Sequence, residues 1–303
     1  MLNRQGKGQL RDLIVKPKNL TRYKRATKAF FVFVREAQLN AVLSRSVDEA
    51  LCLFIQAAWE QGEPIGAATD LLSGLSHFLP RLRGGLRGAW RLVSAWSKNE
   101  KPQRPAPFSQ DTLYAFAGAA LVRYGEALTL GILLAFHCML RPGELLNVRS
   151  DHFLFSGSRG TLTLPEAKSG ARINAPESVL IADAVLIRAL QNWIAGLERP
   201  ERLAPWTETR FRGAFHMLLR DSGLHSVAYD APRSLRRGGA THDFGWHGLI
   251  DKTVVRGRWK QQRACRIYVD EAMAHLAGIS MTPRAQARVE ASKRRFLHFL
   301  VRQ

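Results

Sequence analysis

The chain has 303 residues, enough for two domains of ordinary size, and 46% of them are hydrophobic, which supplies a real core and excludes a disordered protein. Forty-five Lys and Arg against 25 Asp and Glu leave a formal charge of +20, an imbalance that favours a polyanionic partner such as nucleic acid or an anionic membrane surface. Three cysteines without CxxC or Cys/His ligand spacing exclude a disulfide framework and imply a reduced, intracellular setting; there is no signal pattern, and no apolar run is long enough to span a bilayer.

Residues 1–35 hold ten Lys or Arg and one acid, Asp12, and read as a basic arm running into an amphipathic helix. The aromatics Tyr23, Phe30, Phe31 and Phe33 are expected in its core-facing side, and the basic residues are the better candidates for phosphate contacts. Ser46 with Glu49 three residues later suggests a capping box opening a helix that Gly62 stops. Residues 65–82 and 86–100 read as two further helices, separated by Pro80 and the Gly84-Gly85 pair. Three prolines within 101–107 mark a semi-rigid connector, which divides the chain into a helical domain over 1–104 and a second domain over 105–303.

The second domain opens with helices at 109–124, capped by Ser109 or Asp111, and at 125–140, apolar on nearly all sides. Pro142 and Glu144 suit a helix start, so Arg141 is held at a helix junction. Three short β-favouring runs broken by SGSRG and KSGAR then predict a three-stranded antiparallel ribbon, with Lys168 in its second turn, 27 residues after Arg141. Helices follow, ending at Gly196 and Gly223. Asp230 and Pro232 suit the start of another, which would set Arg233 and Arg236 three apart on one face near its positive end, where a phosphate is attracted. Gly238 and Gly239 would weaken that helix in isolation, so a close approach to a neighbouring element is expected. Residues 260–276 read as a helix carrying Tyr268, nine residues after Trp259, and a further helix runs from there to about Gly278. The C-terminal stretch is a basic amphipathic helix.

Arg233-Ser-Leu-Arg236, Trp259 after a further 23 residues and Tyr268 after nine more resemble the catalytic C-terminus of the tyrosine recombinase (phage integrase) family: His-x-x-Arg, about two dozen residues, His or Trp, nine residues, Tyr. Leu140, Arg141, Glu144 and Leu145 match the family's earlier Leu-Arg-x-x-Glu-Leu box, and AKSGAR resembles its lysine hairpin. One position departs from the pattern, Arg233 in place of His.

The resemblance implies a mainly α protein with a small antiparallel β-sheet: an N-terminal helical core-binding (SAM-like) domain joined to a tyrosine-recombinase catalytic domain, together forming a C-shaped grip on double-stranded DNA. It implies a site-specific recombinase or integrase, of viral, transposon or chromosomal origin, working as a homo-oligomer of four, with a tail helix docking on the neighbouring subunit. Tyr268 would attack the scissile phosphorus to give a 3′-phosphotyrosine, Arg141 and Arg236 would clamp the non-bridging oxygens, Lys168 would protonate the leaving oxygen and Trp259 would donate its indole N–H. Glu144 would orient an arginine. Arg233 stays protonated and cannot take the tyrosine's proton, though it adds positive charge. No metal or other cofactor is implied, since the arginines supply the electrostatics. Two alternatives stay open: a recombinase-fold DNA-binding protein that has lost cleavage, and a type IB topoisomerase-like relaxing enzyme. P-loop, GxGxxG, HExxH and GxSxG motifs are absent.

Overall fold

A computed structural model describes residues 9, 14–39, 44–100, 104–165, 176–198, 200–203, 206–225, 229, 231–272, 274–275 and 281–301. The chain divides into two compact units, Met1–Gln103 and Arg104–Gln303.

The first unit holds four helices, α1 (Pro17–Glu36), α2 (Ser44–Glu60), α3 (Ile65–Phe78) and α4 (Arg87–Asn99), with a 3-10 turn at Pro80–Leu82. Phe30, Leu51, Ile55, Leu71, Leu72 and Trp96 fill its core. Helices α1 and α3 lie close together because Gly74 lacks a Cβ, which would stand 3.0 Å from the Tyr23 Cβ. Asp48 of α2 accepts from the backbone N–H groups of Gly88 and Ala89 at 2.8 and 3.0 Å, satisfying two of the orphan donors that open α4. Of the arm's aromatics Phe30 is fully buried and Phe33 meets Phe54 edge-on, whereas Phe31 is exposed. Ser46, expected as the N-cap, lies inside α2, which includes Ser44, and Glu49 pairs with Arg45 one turn back, at 3.1 Å.

The second unit is built around α5 (Gln110–Tyr124) and α6 (Glu126–His137), both buried on nearly every face. Ser109 caps α5, accepting from the Thr112 N–H at 3.2 Å. After the short helix α7 (Pro142–Leu145) comes an antiparallel sheet in the order β1 (Phe153–Ser156), β2 (Arg159–Leu164), β3 (Glu177–Ile181). A two-residue turn closes its first hairpin, with Gly157 at φ +56° supplying the left-handed conformation such turns need. Asp183 and Thr207 cap α8 (Ala184–Ala195) and α9 (Glu208–Asp221). The chain continues through α10 (Arg233–His247), α11 (Ile250–Arg256), α12 (Gln262–Arg266) and α13 (Pro283–Val301).

Two sequence expectations change here. Pro232, not Asp230, is the N-cap of α10, and Asp230 lies outside the described residues. No continuous helix carries Tyr268: α12 ends at Arg266, Tyr268 follows in a turn, and residues 271–272 and 274–275 are helical again, while Gly278 lies outside the described residues. The C-terminal helix packs within its own unit, along α5. A Cβ at Gly118 would stand 2.0 Å from the Ser292 carbonyl oxygen, and Phe296 is fully buried against Tyr114. Ala285, Val289 and Phe296 are buried there, while Leu297 and Val301 stay exposed.

The glycine pair of α10 makes the close approach its sequence predicts. A Cβ at Gly238 would lie 2.4 Å from the Phe108 carbonyl oxygen, and one at Gly239 2.0 Å from that of Phe136. Both obstacles are backbone, so neither can step aside. Gly239→Ala should therefore lower the stability of the second unit by about 3 kcal/mol, read as a drop in the urea midpoint, even though alanine favours helix.

Candidate active site

The site grows from the end of α6. Met139, at φ +47°, turns the chain so that Arg141 becomes the N-cap of α7 and Glu144 its third residue. Glu144 reaches back with both oxygens, one accepting from the Arg141 N–H at 2.9 Å and the other paired with the Arg141 guanidinium. A four-residue helix thus fixes a carboxylate and a guanidinium together, the arginine side chain remaining 30% exposed.

Arg236 enters from α10 and is buried at 2% exposure. Its Nη1 donates to the Met139 carbonyl and its Nη2 to that of Gly257, the latter at 2.7 Å. Its guanidinium carbon lies 4.5 Å from the Trp259 ring centroid and 5.6 Å from that of Tyr268. A guanidinium has five N–H donors, and the buried Nε of Arg236 has no hydrogen-bond partner. A buried orphan donor on a cation is costly unless an acceptor, best an anion, arrives from outside.

Helix α11 ends at Gly257, where any Cβ would stand 1.7 Å from the Trp259 ring. The next residue, Arg258, sits at φ +60°. The carbonyls that hold Arg236 thus belong to Met139 and Gly257, one on and one beside a strained residue, and such strain gathers at functional sites.

Tyr268 packs against Trp259 in a tilted arrangement, centroids 5.0 Å apart and planes at 52°, and it is partly exposed. The break in the expected helix has a visible cause. Thr241 of α10 donates through Oγ1 to the Tyr268 carbonyl at 3.2 Å and accepts from the Asp270 N–H at 3.1 Å, while buried Arg237 pairs with Asp270 at 3.3 Å. Those bonds replace helical ones, so the helix that delivers Arg236 also holds the backbone of Tyr268.

The structure therefore brings together Arg141, Glu144, Arg236, Trp259 and Tyr268. Arg233 opens α10 and is exposed, whereas Arg236, three residues on, is buried. Lys168 lies outside the described residues, between β2 and β3. Sequence reasoning missed Arg258, Thr241 and the Arg237–Asp270 pair; the only signal was Gly257-Arg258 at a helix end.

Burial would raise the Glu144 pKa, but Arg258, the Arg141 N–H and the Arg141 guanidinium outweigh it and hold it below the usual carboxylate value. Burial, then Arg141 and Arg258, pull Arg236 below the usual arginine range. With its folded pKa depressed, Glu144 contributes stability that is complete above the unfolded value of about 4.3 and is lost as pH falls through the lower folded value. Glu144→Gln should accordingly be less stable than the parent at neutral pH, and urea midpoints of the two should converge as pH drops below about 4.

No protein-family model and no curated protein matches the chain. Solved structures do match. The Tn1549 transposon integrase in complex with transposon right-end DNA aligns over 88% of this chain and 94% of that one, with TM-score 0.64 and 12% identity. A lambda integrase dimer bound to a COC′ core site aligns over 88% and 73%, with TM-score 0.61 and 18% identity. At such identities these likenesses establish the fold. This chain has the fold of those integrases, mainly helical with a small antiparallel sheet in its second unit.

Proposed function

We propose that this protein is a tyrosine-type DNA strand transferase, a site-specific recombinase or integrase that cleaves and rejoins double-stranded DNA. The observation that carries this reading is the buried Arg236 guanidinium, set against both the Trp259 and Tyr268 rings and beside the Arg141–Glu144 pair. In this reading a phenol and two guanidiniums act on one phosphate. Tyr268 attacks the scissile phosphorus; the P–O bond to the 5′ oxygen breaks and a 3′-phosphotyrosyl bond forms, with no change of oxidation state. Arg141 and Arg236 hold the non-bridging oxygens, and their fixed position means little reorganisation as charge builds. Lys168 supplies the proton to the leaving oxygen, the phenol's proton passes to water, and attack by another strand's 5′-hydroxyl reverses the bond changes.

The net charge of +20 suits the duplex partner. Assembly as a homo-oligomer on DNA and service to a mobile element are part of the same reading. Among the described residues no helix is long and apolar enough to cross a membrane.

A second reading has one observation in its favour: Arg233, where the family pattern has His, is exposed and cannot serve as a base. It makes the chain a DNA-binding protein of the same fold without cleavage. Incubation with a pool of nicked suicide duplexes separates the two. A covalent protein–DNA adduct on a denaturing gel supports the transferase. Tight, salt-sensitive binding with no adduct supports the second reading, and relaxation of supercoiled plasmid without a special site would point to a topoisomerase.

A further inference from the structure

Arg258 has no part in the chemistry above, yet it occupies the centre of the site's charge network. Its side chain is 6% exposed. Nη2 donates to Glu144 at 2.8 Å, Nη1 to the Cys138 carbonyl at 3.2 Å, and Nε lies 3.2 Å from a carboxylate oxygen of Glu177, the first residue of β3. Its backbone stands at φ +60°, where glycine would sit without strain. The cost of an arginine there needs a compensating interaction.

Glu144 is shared: it pairs with Arg141, takes the bond from Arg258 and lies 3.9 Å from Arg236. Three guanidiniums therefore face two carboxylates, Glu144 and Glu177, leaving one positive charge. Without Arg258 the count is two against two, and the charge of Glu144 falls wholly on the arginines that would meet a phosphate.

We infer that Arg258 is a positioning residue for DNA cleavage: it engages Glu144 and Glu177, so that less of their negative charge offsets Arg141 and Arg236 and the site keeps its excess of positive charge and its donors for the scissile phosphate. The inference rests on the strand-transferase reading. It also predicts a dependence on the charge of the substrate, which a purely structural role would not produce.

The test measures the rate of covalent adduct formation on two suicide duplexes, one with an ordinary scissile phosphodiester and one with a neutral methylphosphonate in its place. Arg258→Gly removes the charge and relieves the backbone, so the protein should fold, as thermal melting would show; Arg258→Asn, also at ease at positive φ, carries the same prediction should it not. The expected result is a loss of about ten- to a hundredfold on the phosphodiester and a several-fold smaller loss on the methylphosphonate, which needs less charge neutralisation. Arg258→Lys, which keeps the charge, should recover part of the phosphodiester rate. Equal losses on both duplexes, or no loss on the phosphodiester, would overturn the role of Arg258 alone. A parent protein that forms no adduct on either duplex would overturn the transferase reading, and this role with it.

Discussion

Replacing Tyr268 with Phe should abolish the covalent adduct while leaving folding and DNA affinity nearly unchanged. The ring supplies the packing: it lies tilted against Trp259 and near Arg236, and its backbone is held by Thr241 and by a 2.7 Å bond from its N–H to the Cys265 carbonyl. The hydroxyl makes no hydrogen bond to any described residue, so its removal should change stability by less than about 1 kcal/mol. As the proposed nucleophile, its loss leaves nothing to form the bond, and the adduct should fall below detection. Gel-shift affinity and thermal melting of the same variant check that only chemistry was lost.

Arg236→Lys should have the second-largest effect, and on two properties together. An ammonium on a shorter donor head cannot serve the Met139 and Gly257 carbonyls at once while stacking on Trp259. Leaving one buried carbonyl unpaired costs about 2 kcal/mol, visible as a lower urea midpoint. The cleavage rate should fall further, by about a hundred- to a thousandfold, because a point charge replaces two aligned donors at the phosphate. Adduct formation measured well below the melting temperature separates the two losses.

Much of the architecture is legible in the sequence because local chemistry dictates it. Two adjacent glycines inside a helix have few uses other than backbone approach, and Phe108 and Phe136 supply the backbones approached. Short β-favouring runs give the three-stranded sheet, with Gly157 in its first turn, and Ser109 caps α5 as its position suggests. What the sequence hides are side-chain substitutions for backbone bonds. Residues 260–276 have helical composition, yet Thr241, distant in the chain, takes over bonding at Tyr268 and Asp270 and breaks the helix. Ser46 likewise has the look of a cap, yet α2 already includes Ser44. Spacing names Arg233 and Arg236 as a pair, but only the docking of α10 turns one inward and leaves the other exposed. Arg258 is invisible for a related reason: its partners Glu144 and Glu177 lie 114 and 81 positions earlier, and no local pattern joins them.

The measurement that bears most directly on the central claim is to map the covalent link. The protein is incubated with a duplex carrying a 5′-bridging phosphorothiolate, whose sulfur leaves without protonation and does not religate, then digested and read by mass spectrometry. The account predicts a nucleotide joined through its 3′ phosphate to the peptide containing Tyr268. A link to another residue, a 5′-phosphate link, or intact DNA in the presence of tight binding would contradict it.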